Sequence, residues 1–311
     1  MIGTAILNDL QKILQDRVRE HEPLARYTSA RIGGPADVFV DVTSADELAE
    51  VVSRLWRADV PFRMLGGGSN VLVSDAGVRG VVIHNRAKAV RFAPDAHPPT
   101  VWAESGANLG VIARQAAQKG LSGLEWAAGI PGTVGGAVYG NAGAHGGDMA
   151  GNIDLAEILH KYQGRAKWTL TQLQYTYRDS RLKQQAGDAV VLAARMVLGN
   201  DSPEVIEARM AEYLEHRRKT QPPGATIGSM FKNPDEDFAG RLIEAAGLKG
   251  FRVGKASISE LHANFFVNHG GATADQVYAL IQQAHDTVLE QFNVDLALEI
   301  ELVGEWEHPD G

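Results

Sequence analysis

The chain has 311 residues, a net charge of −8 and a sequence pI near 5.7, which argues against a nucleic-acid backbone as partner. It contains no cysteine, which excludes disulfides, thiolate nucleophiles, iron–sulfur clusters and cysteine-linked flavin. The ten histidines form no HExxH-like cluster and no apolar run is long enough to span a bilayer, so composition predicts a cytoplasmic, multi-domain protein with no metal site.

Leu10, Ile13, Leu14 and Val18 recur at helical spacing and predict an opening helix. A loop rich in hydroxyls and glycine follows from Tyr27 to Pro35. Val38, Val40 and Val42 then alternate with Asp37, Phe39 and Asp41, the pattern of a half-buried strand. Ser44 is placed to cap a helix, with Glu47 as its capping-box partner and Leu48, Val51, Val52, Leu55 and Trp56 inward. Phe62–Leu65, Gly66–Asn70 and Val71–Val73 read as strand, glycine turn, strand, with another strand at 80–84. A turn-rich connection spans Ala93–Pro99. A helix over 108–119 then presents Leu109, Ile112, Ala113 and Ala116 on one face.

The most unusual stretch comes next. Nine of the 34 glycines fall between Gly123 and Gly147, a density that opposes ordinary helix or strand. Bare backbone of this kind suits close approach to something bulky and anionic, because successive amides form a nest for phosphate. Either glycine loop alone is compatible with a tight turn. Together, Gly66–Asn70 and Gly123–Gly147 suggest two walls around one diphosphate. Neither carries GK[ST], and neither reads G-x-G-x-x-G with an acid downstream, so a P-loop and a Rossmann site are both disfavoured. The remaining reading is a dinucleotide extended between two small α/β units.

Strand patterns recur near 153–161, 166–171 and 188–199. A helix from Pro203 to about Lys219, with Val205, Ile206, Met210 and Leu214 inward, is expected to open a third unit. That unit continues with a helix near 236–246, a strand at 263–267, a helix at 274–291 and a last strand over 294–303. Three polar runs carry potential chemistry. In Tyr175–Arg181, Arg178 can grip a carboxylate in bidentate fashion, or simply pair with a neighbouring acid. In Gln221–Pro234, Ser229 offers a proton beside Lys232 and Asn233, and no GxSxG surrounds it. In Leu296–Leu302, alternation buries Leu296, Leu298, Ile300 and Leu302 and leaves Glu299 and Glu301 on one face, with the choice between them open.

The motifs GGGSN, GIPGTVGG with NAGA, YRDSR, GSMFKNP, HANFFVN and LEIELVG occur in an order that resembles the UDP-N-acetylenolpyruvoylglucosamine reductase family, from about Tyr27 to Gly304. The resemblance implies an α+β fold: two α/β subdomains forming an FAD-binding module of PCMH type, then a C-terminal α+β substrate-binding domain. On that reading residues 1–90 and 91–201 are the FAD-binding subdomains, 202–304 the substrate domain and 305–311 a tail. It also implies non-covalent FAD, NADPH as hydride donor and the enolpyruvyl-UDP-sugar as substrate, in peptidoglycan precursor synthesis. No nucleic acid, membrane or obligate protein partner is implied.

Carried onto matching positions, the resemblance makes Arg178, Ser229 and Glu299 catalytic. Arg178 stabilises charge on the substrate carboxylate, Ser229 donates the proton and Glu299 polarises the carboxylate. Gly67, Gly68, Ser69, Asn70, Gly129, Thr133, Gly135 and Asn141 are expected along the FAD, and Lys219, Asn233, His262 and Asn264 along the UDP-sugar. The chain resembles the form lacking an extra tyrosine-bearing loop. It departs at Lys255, where a small residue is expected after Gly254, and at Ala297-Leu298 before the catalytic glutamate. The two glycine loops taken alone also accommodate an FAD-dependent oxidase of a small alcohol or sugar, or a non-catalytic nucleotide sensor.

Overall fold

A computed structural model describes residues 3–306, so the expected tail lies outside the described residues from residue 307 onward. The first sheet has the strand order Val18–Pro23, Pro35–Val42, Val78–Asn85, Phe62–Leu65; its first pair is antiparallel and the others are parallel. Helices Thr4–Leu14 and Ala45–Arg57 bury Leu10, Leu14, Leu48, Val52 and Leu55 against Val38, Val40 and Val42. On the opposite face Phe39 and Val82 pack with Leu24 and Leu65. The strand Pro35–Val42 is therefore covered on both sides rather than half-buried, as parallel pairing with helical crossovers requires.

Several local expectations change. The opening helix stops at Leu14, and Val18 begins the first strand. Ser44 does accept the Glu47 N–H, at 3.1 Å, but the Glu47 carboxylate bonds the Thr43 N–H and Arg17, so no capping box closes. Trp56 is only partly buried.

Five antiparallel strands form the second sheet, in the order Gly164–Thr169, Ile153–His160, Ala189–Val197, Thr100–Glu104, Val90–Ala93. One face sends Leu159, Val190 and Leu192 into the core around helix Ala45–Arg57, which is thus shared by both sheets. Against the other face lie helices Leu109–Ala117, Val134–Gly140 and Pro203–Thr220. The strand expected to reach residue 171 ends at Thr169, where a short helix, Leu170–Leu173, begins.

Two corrections in this unit bear on the site. The glycine density does not prevent helix formation: Val134–Gly140 is helical, with Thr133 as N-cap and Asn141 closing it in the left-handed region. Gly135 serves close packing there, since its N–H donates to the Ser105 carbonyl at 2.7 Å and a Cβ would sit 2.9 Å from Ser105 Cβ. The helix Pro203–Thr220 buries Ile206 and Met210 in this second core, while Val205 and Leu214, expected inward, are exposed. Its inward stripe runs 206, 210, 213, 217, so it packs on the second unit instead of opening a third.

The last unit pairs strands Arg252–Val253, Ala256–Ile258 and Phe266–Asn268 with helices Ala239–Ala245 and Ala274–Phe292. Its core takes in Ile32 and Leu72 from the first unit. The strand expected from 263 starts at Phe266, because a turn closed by Phe265 N–H to the His262 carbonyl (3.0 Å) precedes it. The final strand is only Glu301–Val303, parallel to Val71–Val73. Leu296 and Ile300 are buried, but Leu298 and Leu302 only partly, because the chain bends at Glu299 and Ile300 to reach the first glycine loop. Among the described residues no helix is long and apolar enough to cross a membrane, and no group of three potential ligands could hold a metal ion.

Candidate active site

The two glycine loops meet. A Cβ on Gly67 would lie 3.1 Å from Gly132 Cα, and Ser69 Oγ donates to the Pro131 carbonyl at 3.2 Å. Gly68 has φ +59, and a Cβ there would fall 2.0 Å from the Tyr27 carbonyl oxygen, so only glycine fits. The N–H groups of Gly67, Gly68 and Ser69 find no acceptor among the described residues, which leaves three successive donors open. Thr133 accepts the Gly136 N–H at 3.5 Å at the start of the following helix.

Arg178 occupies the tip of a tight turn closed by reciprocal Thr176 and Asp179 backbone bonds of 3.2 and 3.3 Å. Its φ is +56, an uncommon conformation for a side-chain-bearing residue. From there Nε donates to Glu299 Oε1 at 2.8 Å, Nη2 to the Gly143 carbonyl at 2.6 Å and Nη1 to the Asn141 carbonyl at 3.4 Å. The guanidinium also lies over the Tyr177 ring, 5.4 Å from its centroid.

Asn141 explains how that turn is held. Its Nδ2 donates to the Thr176 carbonyl at 3.0 Å and to Asp148 Oδ2 at 3.4 Å, while Oδ1 accepts the Ala150 N–H at 3.0 Å. The side chain is buried and spent on the protein, so it is not free for the cofactor contact expected of it. Gly135 is likewise committed, through its bond to Ser105.

Glu299 enters the same place from the C-terminal end. Its N–H donates to the Met230 carbonyl at 2.8 Å, and its carbonyl accepts Asn70 Nδ2 at 3.1 Å. Asn70 therefore ties the first glycine loop to the glutamate. Burial raises the Glu299 pKa above the usual carboxylate range, against the opposing charges of Arg178, Lys183 and Lys232. Glu301, the alternative left open by alternation, instead lies 3.6 Å from Lys183 and is more exposed.

Ser229 is one peptide away from that Met230 carbonyl and pairs with Phe265 across a β-bridge. It lines a cavity of about 380 Å³ together with Asn233, Arg241, His262 and Asn264. Asn233 Oδ1 accepts the Ala239 N–H at 3.1 Å. His262 Nδ1 accepts the Asn264 N–H at 3.2 Å, which puts the ring proton on Nε2, and burial lowers its pKa, favouring the neutral ring. Asn264, expected to touch substrate, uses Nδ2 and Oδ1 on the Phe231 backbone, at 2.8 and 2.9 Å; its side chain is structural.

Lys219 does not join the site. It is exposed at the end of helix Pro203–Thr220 and pairs with Glu215 at 3.4 Å. Two positions earlier, Arg217 is half-buried against Gly129, where a Cβ would lie 3.4 Å from its Cδ and Nε. The signal that could have found it is a cation seven residues after Met210, on the inward stripe, where Lys219 is not.

With this geometry in place, similarity to known proteins is informative. Residues 220–303 match the model for the UDP-N-acetylenolpyruvoylglucosamine reductase C-terminal domain, and residues 36–161 match that for an FAD binding domain. The UDP-N-acetylenolpyruvoylglucosamine reductase of Chloroflexus aggregans is 43% identical over 94% of this chain and all of its own length. The chain belongs to the UDP-N-acetylenolpyruvoylglucosamine reductase family. The Bacillus subtilis member is 41% identical over 96% of this chain and 98% of its own. The crystal structure of the reductase from Thermus caldophilus superposes with a TM-score of 0.78 at 37% identity, covering 92% of this chain and 99% of that one.

Proposed function

We infer that this chain is an FAD-dependent reductase that converts UDP-N-acetylenolpyruvoylglucosamine to UDP-N-acetylmuramate with NADPH, in peptidoglycan precursor synthesis. The observation that carries the reading is the Arg178–Glu299 pair, 2.8 Å apart, with the Glu299 backbone bonded to Asn70 of the glycine cradle and to Met230 beside Ser229. Family membership supports the same activity.

The cradle suits a flavin dinucleotide. Its three open amides at Gly67, Gly68 and Ser69 match a pyrophosphate, and the close approach of Gly67 to Gly132 leaves no room for side chains between them. Gly67, Gly68, Ser69, Asn70, Gly129 and Thr133 would hold it. When bound, FAD supplies the hydride obtained from NADPH and delivered to the vinyl carbon of the substrate.

The chain's own residues handle the rest. As the vinyl carbon gains hydride, negative charge moves onto the substrate carboxylate in an enolate-like state. Arg178, already anchored by two backbone carbonyls, is preorganised to stabilise that charge, and Glu299 holds and polarises the same carboxylate. Ser229 then gives its proton to the carbon adjacent to the carboxylate, and the Lys232 cation, whose charge also acts on Glu299, adds positive potential to the site. Asn233 and the neutral His262 Nε2–H line the cavity beyond Ser229 as donors for the UDP-sugar.

The test is spectroscopic. Purified protein should carry flavin absorbance that NADPH removes and the enolpyruvyl-UDP-sugar restores under anaerobic conditions. Protein that neither contains nor takes up FAD overturns the reading.

A further inference from the structure

The sheet of the last unit is covered by helices on one face only. Ala256, Ile258 and Phe266 turn into the core with helix Ala274–Phe292. On the other face Arg252 stands opposite Ser257 and Ser257 opposite Val267, so one row crosses all three strands. Pro222 and Pro223, from the chain after helix Pro203–Thr220, wall this row into a cavity of about 300 Å³. No residue given a role above lines it. It is separate from the cavity at Ser229, and Leu261 lines both.

The floor of the cavity carries two buried hydroxyls, Ser257 and Ser259. Ser257 Oγ lies 2.8 Å from His269 Nε2. Whichever way that bond runs, the pair keeps a donor: the ring Nδ1–H if the serine donates, the serine hydroxyl if the ring does. Ser259 Oγ accepts the Leu261 and His262 N–H groups at 3.1 and 3.3 Å, while its own proton has no acceptor among the described residues. The Arg252 guanidinium has none either. These donors converge on an oxyanion, and a guanidinium fork matches a carboxylate.

One acceptor stands against them. The Glu260 carboxylate occupies the space that a side chain at Gly250 would take, and no cation among the described residues pairs with it, Arg252 included. A ligand with negative charge alone would be repelled by Glu260, whereas one carrying both charges uses every group. Val267, the exposed Leu261 and the two prolines leave an apolar wall beside them.

We propose that this cavity is an effector site for a small α-amino acid. Arg252, Ser259 and the Ser257–His269 pair take its carboxylate, Glu260 its ammonium, and the apolar wall a short side chain. The turn 259–262 links the site to the substrate cavity, because the Ser259 oxygen fixes the N–H of Leu261, on the shared wall, and of His262 beyond it. A ligand that draws on Ser259 therefore alters affinity for the UDP-sugar, and the UDP-sugar alters affinity for the ligand by the same factor. Only this link rests on the functional reading above.

The experiment titrates L-valine, acetate and isobutylamine calorimetrically into the full-length protein with FAD bound, and into its Arg252→Met, Glu260→Gln and Ser257→Ala variants. L-Valine should bind at least about tenfold more tightly than either fragment, and Arg252→Met and Glu260→Gln should each weaken it about tenfold. Ser257→Ala should weaken it several-fold. Saturating L-valine should shift the Kd for the UDP-sugar about fivefold in the parent and leave it unmoved in Glu260→Gln. No heat at millimolar L-valine overturns the proposal. Acetate binding as well as L-valine, or indifference to Glu260→Gln, would make this a plain anion site and overturn it too. L-Valine that competes with the UDP-sugar and ignores Arg252→Met would lie in the substrate cavity, with the same consequence. Binding that leaves the UDP-sugar Kd unchanged overturns the effector role. If Arg252→Met does not fold, Glu260→Gln decides alone. A parent that binds L-valine as described but no UDP-sugar would instead contradict the functional reading.

Discussion

Arg178 meets Glu299 across 121 residues of chain, Nε to Oε1 at 2.8 Å, while its own backbone is held at φ +56. A side-chain-bearing residue in that region carries strain of about 1–3 kcal/mol, which surrounding bonds must offset. The reciprocal Thr176–Asp179 bonds and the Asn141 amide do so. The arginine is thus fixed before any substrate arrives, which is what transition-state stabilisation by a preorganised cation requires.

Glu299→Gln should lower turnover by roughly 10²–10⁴-fold while leaving FAD bound. Because burial raises the Glu299 pKa in the fold, the protonated form is the one the fold favours. The associated stability is fully present below the ordinary glutamate pKa and is lost as pH rises through the raised value. At neutral pH the glutamine variant should therefore melt no lower than the parent. A thermal scan at two pH values checks this, and a clear drop in melting temperature at pH 7 would contradict it. Turnover should fall as pH rises through the raised Glu299 value, and that limb of the pH–rate profile should vanish in the variant.

Asn141→Ala should uncouple the Arg178 turn from the rest of the site. Removing a buried amide that makes three hydrogen bonds is expected to cost about 1–3 kcal/mol of stability. Turnover should fall while the Kd for FAD stays within a few-fold. A selective loss of FAD affinity would return Asn141 to the cofactor.

Lys219→Ala should do little. An exposed pair with Glu215 contributes less than about 1 kcal/mol. The KM for the UDP-sugar should remain within about threefold. A tenfold rise would mean that the lysine reaches substrate from a position it does not occupy in this structure.

Much of this site was legible in the sequence, for identifiable reasons. The paired glycine runs announced bare backbone, and the loops do meet at Gly67 and Gly132. Long apolar-periodic helices such as Ala45–Arg57 and Ala274–Phe292 fell where their spacing put them. What spacing could not carry was side-chain commitment. Asn141 and Asn264 look like site residues in the chain, but both amides bond the backbone that positions Arg178 and Phe231. Nor could alternation choose between Glu299 and Glu301, because the bend between them is set by two different partners: the 230–232 segment before it and Val71–Val73 after it. Glycine count misled at Val134–Gly140, where tight packing on Ser105 outweighs poor intrinsic propensity.

Gly135→Ala tests that last point. The added methyl would lie 2.9 Å from Ser105 Cβ and 3.0 Å from its backbone oxygen, which cannot swing aside. A loss of about 1–3 kcal/mol is expected from overpacking. Denaturant unfolding of the FAD-free protein reads it without interference from ligand, and an unchanged midpoint would show that the helix has room to shift.

The most direct measurement follows the two half-reactions separately in Ser229→Ala by anaerobic stopped-flow absorbance. Loss of flavin absorbance on adding NADPH should proceed as in the parent. Its return on adding the enolpyruvyl-UDP-sugar should slow by about 10²–10⁴-fold, the scale of a missing general acid. Recovery at the parental rate would contradict the assignment of Ser229, and with it the site built on Arg178 and Glu299.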